Sequence, residues 1–461
     1  MLVMAEKTSR AARPGALVSG LPGEDERFTN ALRNTDMAAL RQRVRSVRGC
    51  ARPVWLSGSW SAQRFDGTAV AEYAGRIAVA CGNRRVAVCE SCAARYAGDA
   101  YQLVKAGLSG GKGVPEATAE HRRAFVTLTA PSFGPVHTRP TSPRGIPRSC
   151  RCGVTHSEHD PVLGTALDPD SYDYTGAVLF NAYAGALWHR FRMMLARLVA
   201  AAVGVRVSRA SEVFRLSYAK VAEYQRRGLV HFHAVIRLDG PAGPGDPAPV
   251  GVDEQTLREL VLVAARRVAV PVEPTEHHAG YTLRWGEQIQ VDSIEPTAPD
   301  GAEGQRLHDR RVASYIAKYA TKGTETTSGA DVRIRSEAHI SHLEVSEHHR
   351  AMIRTAWRIG HRRWAHMLGF GGHFLTKSQY YSTTFTELRH VRAQHQRSAH
   401  LAELGIADTE AIELVSDWSF VGIGWANAAQ RELAQAISHR HGHAQRTYDT
   451  ARTDIDGSEH G

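Results

Sequence analysis

The stretch GLVHFHAVIRL, residues 228–238, decides how the sequence is interpreted, because it places two histidines one residue apart within an apolar run. Side chains in a β-strand point alternately to its two faces. His231 and His233 are therefore predicted to project from one face of a strand and Phe232 from the other. A strand with one apolar face and two imidazoles on the opposite face carries a candidate site for chemistry.

The residues before this stretch, LSYAKVAEYQRRG (216–228), form a second strand-like run that ends in two arginines and a glycine. This ending suits a tight hairpin turn. In such a hairpin, Glu223 lies near the imidazoles of His231 and His233. Two nitrogens and one carboxylate oxygen can bind Mg²⁺ or Mn²⁺ and leave positions for substrate oxygens. The alternative is a pair of half-exposed histidines that bind nothing.

A second motif, YIAKYATK, covers residues 315–322. Tyrosine is a poor nucleophile at neutral pH, since its pKa is about 10, and attack on phosphorus needs a cation nearby. Two tyrosines would permit two successive phosphoryl transfers. The alternative is an amphipathic helix whose tyrosines pack and whose lysines extend to solvent. On a helix, the spacing of three and four residues places four side chains on one face: Tyr315, Lys318, Tyr319 and Lys322.

The composition favours a soluble protein with a phosphate-rich partner. The 461 residues include 57 Lys and Arg against 47 Asp and Glu, for a net charge of +10. This excess suits a nucleic acid better than an acidic metabolite, although a solvated basic surface is the alternative. The start, MLVMAEKTSRAARPG, lacks the apolar core of a signal peptide, and no stretch suits a membrane span. We therefore expect a cytoplasmic protein with no membrane partner.

The cysteines are clustered, and in a reducing compartment such clusters indicate metal binding rather than disulfides. Cys81, Cys89 and Cys92 form the pattern C-x7-C-x2-C, and Cys50 supplies a fourth thiolate. Four thiolates can hold a tetrahedral zinc ion that stabilises a small module. The alternative is a set of buried free thiols.

A second group occurs in SCRCGVTHSEHD, residues 149–160. Cys150, Cys152, His156 and His159 combine the ligand types that zinc prefers. These four residues could therefore bind a second zinc ion.

These motifs resemble those of HUH endonucleases. HFH matches their His-hydrophobic-His motif, YIAKYATK resembles the two-tyrosine form of their nucleophile motif, and FVTLTAP (125–131) is similar to their first strand motif. The chain as a whole resembles the RepSA-like rolling-circle replication initiators of actinobacterial plasmids and integrative elements. Further stretches carry this resemblance: CGNRRVAVCESC, YDYTGAVLFNA, VASYIAKYATKG and GFGGHFLTKS.

The resemblance implies metal-dependent, origin-specific nicking and joining of one DNA strand through a 5′-phosphotyrosine. Host helicase and polymerase would be partners. A relaxase or two-tyrosine transposase shares this chemistry, and a non-catalytic, zinc-stabilised DNA-binding regulator is the other alternative. By the same resemblance, the metal ligands are His231, His233 and Glu223, the main nucleophile is Tyr319, the second is Tyr315, and the supporting cations are Lys322 and Lys318.

The fold class predicted from alternating strand and helix patterns is α+β, with an antiparallel sheet flanked by helices. Residues 1–45 are interpreted as a flexible basic arm and 46–115 as the four-cysteine zinc module. The HUH nuclease domain would cover 116–345, with an insertion at about 137–175. Residues 346–461 would form a basic, aromatic and helical region.

Overall fold

A computed structural model describes five ranges of the chain: 36–64, 66–295, 307–322, 333–403 and 412–437. Most of the predicted basic arm lies outside these ranges. None of the helices within them combines the length and apolar composition needed to cross a bilayer.

Helices and strands alternate along the chain, as the sequence patterns predict. The helices are α1 (Met37–Ser46), α2 (Glu90–Ser109), α3 (Tyr174–Ala202), α4 (Glu254–Arg267), α5 (Asp309–Ala320), α6 (Glu337–Ser341), α7 (Glu347–Arg358) and α8 (Phe385–Glu403). The strands are β1 (Val54–Arg64), β2 (Ala69–Val79), β3 (Arg123–Leu128), β4 (Arg215–Tyr224), β5 (Val230–Asp239), β6 (Val270–Val272), β7 (Tyr281–Leu283), β8 (Ile289–Glu295), β9 (Leu307–His308), β10 (Leu375–Lys377) and β11 (Ile412–Ile423).

Contacts between residues divide the chain into two compact units. The first comprises Met1–Gly82, Val88–Ser91 and Ala411–Gly461, and the second comprises Asn83–Ala87 and Cys92–Glu410. This division differs from the segments predicted along the sequence, because the first unit draws on both ends of the chain.

The first unit is built on a three-stranded antiparallel sheet with the order β11-β1-β2. Helix α1 begins after Asp36, whose carboxylate accepts hydrogen bonds from the first free amides of the helix and so caps it. Its apolar residues Leu40 and Val44 are buried against Ala434 from a helix over residues 428–437. The amino-terminal helix and the carboxyl-terminal segment therefore share one small core.

The second unit contains a six-stranded sheet with the order β10-β4-β5-β3-β8-β9. All neighbouring strands are antiparallel except β8 and β9, which pair in parallel. The α+β fold with an antiparallel sheet flanked by helices, predicted from the sequence, is therefore confirmed.

Apolar residues cover both faces of this sheet. One face packs against helices α3, α4 and α7, and Phe232 of β5 lies in that core. The other face packs against α2 and α5, with Phe125, Val221 and Val235 in the core. The two-residue period of β5 therefore directs Phe232 into the first core, and directs the histidines toward the layer that contains the tyrosine helix α5.

The predicted hairpin joins β4 and β5. In its register Glu223 lies opposite His231, and Gly228 in the turn has a φ of +75°. The buried amide of Asn181 holds this turn: its Nδ2 donates to the Gly228 carbonyl oxygen at 2.9 Å, and its Oδ1 accepts from the Val230 amide at 2.9 Å. Asn181 therefore fixes the turn at both Gly228 and Val230. The fixed turn in turn sets the register that brings Glu223 to the histidines.

Two buried arginines connect the sheet to its helices. Arg123 of β3 lies opposite Arg237 of β5, and their guanidinium groups donate to the last carbonyls of α2. Arg123 also pairs with Asp309, the first residue of α5, at 3.2 Å. Arg237 pairs with the fully buried Asp239. The hydrogen bonds connect the end of α2 to the sheet, and the ion pair with Asp309 connects the start of α5 to it.

Gly228 is expected to tolerate no side chain. A Cβ there would lie 2.6 Å from the sulfur of Met352 and 2.9 Å from Leu368 Cδ1. We expect Gly228→Ala to reduce the free energy of unfolding by about 2–5 kcal/mol, from left-handed backbone strain plus overpacking. The control is Gly204→Ala, since Gly204 has a similar φ of +71° but no atom within 4 Å of the added Cβ. Gly204→Ala should reduce the free energy of unfolding by only about 1–2 kcal/mol. If urea unfolding shows that Gly228→Ala and Gly204→Ala lose the same free energy of unfolding, close packing around Gly228 does not explain its sensitivity.

A substitution at Asp239 provides a second test of the fold. Although burial by itself raises the pKa of Asp239, hydrogen bonds from His121, Arg237 and Ser217 outweigh it and lower this pKa below its ordinary value. Asp239→Asn leaves Arg237 buried without its counter-ion, so we expect a loss of about 3–5 kcal/mol at neutral pH.

Because the folded-state pKa of Asp239 is lowered, its contribution is complete above the unfolded value of about 3.9 and is lost as the pH falls through the folded value. The difference between Asp239→Asn and wild type should therefore shrink in acid. Glu212→Gln, at the exposed pair with Arg209, is the control and should change stability by less than about 1 kcal/mol. A deficit for Asp239→Asn that is the same at all pH values would contradict the assignment.

Candidate active site

Three side chains converge on the face of the hairpin that points toward α5. Glu223 Oε2 lies 3.0 Å from His231 Nε2 and 3.2 Å from His233 Nε2, and the two imidazole nitrogens are 3.2 Å apart. The donor atoms form one of the groups suited to a metal ion within the described ranges. Ligands in adjacent positions of an octahedron with bonds of about 2.1 Å lie about 3.0 Å apart, so these three atoms match one face of such an octahedron.

A hydrogen bond on the far side of the ring sets the orientation of His233. Its Nδ1 lies 2.9 Å from Thr127 Oγ1 on the neighbouring strand β3. With the Nδ1 proton donated to Thr127, the lone pair of Nε2 points toward Glu223, as a metal ligand requires. Burial lowers the pKa of His233, which favours the neutral imidazole that binds metal. Thr127 lies in FVTLTAP, but sequence reasoning assigned no role to its hydroxyl.

Glu223 is held as a carboxylate. Burial by itself raises the pKa of Glu223, but its close contacts with His231 and His233, together with the nearby charge of Lys322, outweigh burial and lower the pKa to about 2. Lys322 Nζ lies 3.5 Å from Glu223 Oε1. The site therefore carries a negative charge and one adjacent ammonium group, which suits a cation on one side and a phosphate on the other.

Both tyrosines lie against the histidine pair. Tyr315 Oη is 3.1 Å from His233 Nε2, and the ring centroids of Tyr319 and His233 are 5.7 Å apart. The two phenol rings contact each other, with centroids 4.5 Å apart. Burial, the neighbouring Tyr319 and the carboxylate of Glu223 raise the pKa of Tyr315 well above its ordinary value. The phenols and imidazoles thus occupy one site.

The two predicted lysines differ in position. Helix α5 ends at Ala320, so Lys322 lies in the turn beyond it rather than on the helical face that the spacing predicted. From there its ammonium lies 4.2 Å from the centroid of the Tyr319 ring. Lys318 is exposed, 5.8 Å from the same ring centroid. Of these two lysines, Lys322 is the one whose ammonium pairs with the carboxylate of Glu223.

Arg84 holds the carboxyl end of α5. Its guanidinium donates to the carbonyl oxygens of Ala320 at 3.1 Å and Lys322 at 2.6 Å, and lies over the ring of Phe374 at 3.9 Å. A cation at the end of a helix satisfies carbonyls that lack helical partners. Sequence patterns gave no sign of this contact, because Arg84 is 236 positions from Ala320.

Arg227 joins the hairpin turn to the end of the first strand motif. Its guanidinium donates to the carbonyl oxygens of Ala130 at 2.8 Å and Pro131 at 3.0 Å. The motifs RRG and FVTLTAP, which are about 100 residues apart in the sequence, are therefore bonded to each other beside the histidines. Local patterns carried no signal of this contact.

The four amino-terminal cysteines predicted to bind zinc lie together. Their sulfur atoms are within 4.8 Å of one another, and backbone amides donate to two of them. This cluster can bind zinc, since four thiolates at such separations need only a small contraction to form a tetrahedral site. The members of the cluster are Cys50, Cys81, Cys89 and Cys92.

The second predicted zinc group is present with one change of membership. Cys150, Cys152 and His156 lie within 4.8 Å of one another and of His137, which sequence reasoning missed. His159, included in the prediction, has an exposed side chain and is outside this group. The prediction was drawn from neighbours along the sequence, whereas His137 is brought in by a backbone hydrogen bond between its amide and the carbonyl of Thr165.

Comparison with known proteins agrees with the resemblance seen in the motifs. The family model described as "RepSA: Replication initiator protein, pSAM2" matches residues 36–439. A replication initiator protein of Streptomyces ambofaciens is 40% identical over 410 residues, which cover 84% of this chain and 87% of that relative. No solved structure matches the chain significantly. Since the family model covers most of the sequence, the chain belongs to the RepSA family of replication initiator proteins.

Proposed function

We propose that this replication initiator nicks and rejoins one strand of its origin DNA through tyrosine, and so starts rolling-circle replication. The observation that carries the proposal is the contact of 3.1 Å between Tyr315 Oη and His233 Nε2, which brings a phenol to three side chains that could hold a metal ion. An arrangement that served packing alone would not need a carboxylate, two imidazoles and an ammonium group at the same point. The net charge of +10 is consistent with a DNA substrate.

The proposed metal is Mg²⁺ or Mn²⁺, held by Glu223, His231 and His233. Three ligands on one face of an octahedron leave three positions for water and phosphate oxygens. When bound, such a cation would withdraw charge from the scissile phosphate and orient it. Lys322, whose ammonium pairs with Glu223 at 3.5 Å, would stand at the edge of this group.

The reaction exchanges one phosphodiester for another. The Oη atom of a tyrosine would bond to phosphorus as its proton departs. The bond from phosphorus to the 3′ oxygen would break as that oxygen gains a proton. The products are a 5′-phosphotyrosine and a free 3′-hydroxyl, which a host polymerase can extend while a host helicase separates the strands. Attack by the 3′-hydroxyl of another strand on the phosphotyrosine reverses these steps and joins the DNA.

Tyr319 is proposed as the nucleophile of the first cleavage, and Tyr315 as that of the second transfer. The ammonium of Lys322 lies 4.2 Å from the centroid of the Tyr319 ring, close enough to offset the negative charge that develops as this phenol attacks phosphorus. The raised pKa of Tyr315 makes its phenolate less accessible while Tyr319 and Glu223 surround it. Tyr315 would become the better nucleophile once Tyr319 carries the DNA strand.

The direct experiment incubates the purified chain with supercoiled DNA that carries the element's own origin, in Mn²⁺ or in EDTA. We expect open-circular product only with Mn²⁺ and only from DNA with this origin. Absence of that product would favour the DNA-binding regulator. Cleavage at a transfer origin or a transposon end instead would favour a relaxase or a transposase.

Substitution of each tyrosine distinguishes its role in the reaction. Tyr319→Phe should reduce nicking by about 100-fold or more, because the nucleophile is lost. Tyr315→Phe should nick at nearly the wild-type rate but fail to release closed circles in a strand-joining assay. Tyr101→Phe removes a phenol hydroxyl from the same layer of helices and serves as the control. Equal loss of both steps in Tyr315→Phe and Tyr319→Phe would contradict the division of roles.

Metal binding is tested without DNA. Thr127→Val removes the acceptor of the His233 Nδ1 proton and should weaken Mn²⁺ binding by about 10–100-fold. Electron paramagnetic resonance of free Mn²⁺ measures the affinity. Thr129→Val, at a buried threonine two residues along, is the matched control. Unchanged affinity in Thr127→Val would show that the imidazole does not depend on this hydrogen bond to bind metal.

A further inference from the structure

We infer that the insertion between β3 and α3 binds a structural zinc ion through His137, Cys150, Cys152 and His156. This site is separate from the tyrosine site and from the four-cysteine cluster, and it does not depend on the proposed nicking activity. The four donor atoms lie within 4.8 Å of one another, in a segment of the second unit that forms no helix or strand. Tetrahedral zinc holds sulfur and nitrogen ligands about 3.3–3.8 Å apart, so little movement is needed to close the site.

The two cysteines lie on a tight turn. The amide of Gly153 donates to the Cys150 carbonyl at 2.9 Å, and the amide of Cys150 donates to the Val154 carbonyl at 2.9 Å. Gly153 has a φ of +88°, a conformation that glycine adopts without strain. The amide of Thr138 donates to the sulfur of Cys150 at 3.4 Å, an interaction that stabilises a thiolate. The turn thus directs both sulfur atoms toward the histidines.

His156 is oriented as zinc ligands usually are. Its Nδ1 lies 2.8 Å from Asp160 Oδ2, and its Nε2 lies 3.3 Å from the sulfur of Cys152. A carboxylate that accepts the Nδ1 proton fixes the ring and leaves Nε2 for a metal. Asp160 is fixed in turn, because its other oxygen accepts from the amide of Val162 at 3.0 Å.

His137 supplies the independent observation. In the part of the chain that the structure describes, its Nδ1 is buried and has no hydrogen-bond partner. A buried polar atom without a partner costs free energy, and native proteins contain few of them. The ring of His137 lies edge-on to that of His156, with centroids 5.3 Å apart. A metal ion shared by the two histidines would account for both the position of the ring and its unsatisfied nitrogen.

The insertion also needs such a link to hold its shape. Apart from isolated bridges such as Thr141↔Pro147 and Val136↔Ala166, residues 137–173 form no helix or strand. Residues 143–149 are exposed, so this stretch of the insertion buries little apolar surface. Segments that lack a core are commonly stabilised by metal or disulfide links.

This zinc would support the hairpin of the tyrosine site from outside. Arg226 in the turn donates to the carbonyl of Glu158 at 2.9 Å. The backbone of Gly164 approaches Arg226 so closely that an added Cβ would lie 2.6 Å from its carbonyl carbon. The insertion therefore rests on the turn that sets the register of Glu223, and ordering the insertion would restrict that turn.

The first experiment counts metal in the full-length chain by inductively coupled plasma mass spectrometry after dialysis. Cys152→Ser combined with His156→Gln should lose one zinc ion per chain relative to wild type. His159→Gln, at the exposed histidine of the same segment, should lose none. In a Cys89→Ser, Cys92→Ser variant loaded with Co²⁺, the remaining ion should show the visible spectrum of a tetrahedral site with two thiolates and two imidazoles. An unchanged zinc content in Cys152→Ser, His156→Gln would overturn the inference.

A second measurement uses the wild-type chain and so does not depend on whether a variant folds. The side chain of Cys152 is exposed and, as a free thiol, should react rapidly with iodoacetamide. If it binds zinc, peptide mapping should show Cys150 and Cys152 protected until EDTA is added. Equal alkylation of Cys152 with and without EDTA would contradict the zinc site, whatever the result for nicking.

Discussion

The pairing register of β4 with β5 is the constraint on which the candidate site depends. Opposite residues in an antiparallel pair share a face, so the alignment of Glu223 with His231 brings one carboxylate to both imidazoles. A slip of one residue would turn Glu223 to the opposite face, into the apolar core around Phe232. The left-handed Gly228 and the buried amide of Asn181 prevent this slip from within the second unit. Packing around Gly228 and Asn181 therefore determines the geometry of the candidate metal site.

A second set of polar contacts places the tyrosine helix over the hairpin. The pair between Arg123 and Asp309 fixes the start of α5, and Arg84 holds the carbonyls at its end. A buried ion pair such as that of Arg123 with Asp309 contributes little net stability, but removal of one partner leaves the other as a buried, unpaired charge. The value of these contacts lies in orientation, since a shift of the helix by one turn would move Tyr315 away from His233.

Much of this arrangement follows from periodicity. Alternation in HFH places His231 and His233 on one face, and the glycine-containing turn places Glu223 opposite them, as the structure has it. Helical spacing likewise predicts that Tyr315 and Tyr319 lie side by side. Each of these relations joins residues close in sequence, where the geometry of a strand or a helix determines the neighbours.

Relations between distant segments were not predictable from such patterns. Arg84 reaches Lys322 across 238 positions, and Thr127 reaches His233 across 106. Strand β11 pairs with β1 at the opposite end of the chain, so the first unit is not a continuous segment. His137 joins the cysteines of the insertion in the same way. In each case tertiary packing selects one partner among many residues of the same type, and a single sequence does not indicate which.

The proposed mechanism requires one scissile phosphate to reach both the candidate metal ligands and a phenol of α5. The most direct measurement traps the covalent adduct between the chain and a single-stranded origin oligonucleotide in Mn²⁺, and maps the modified residue by mass spectrometry. We expect a nucleotide on Tyr319, with Tyr315 modified when Tyr319 is phenylalanine, and no adduct when His231 and His233 are alanine. An adduct on a residue outside α5, or one that forms equally well without the two histidines, would contradict this mechanism.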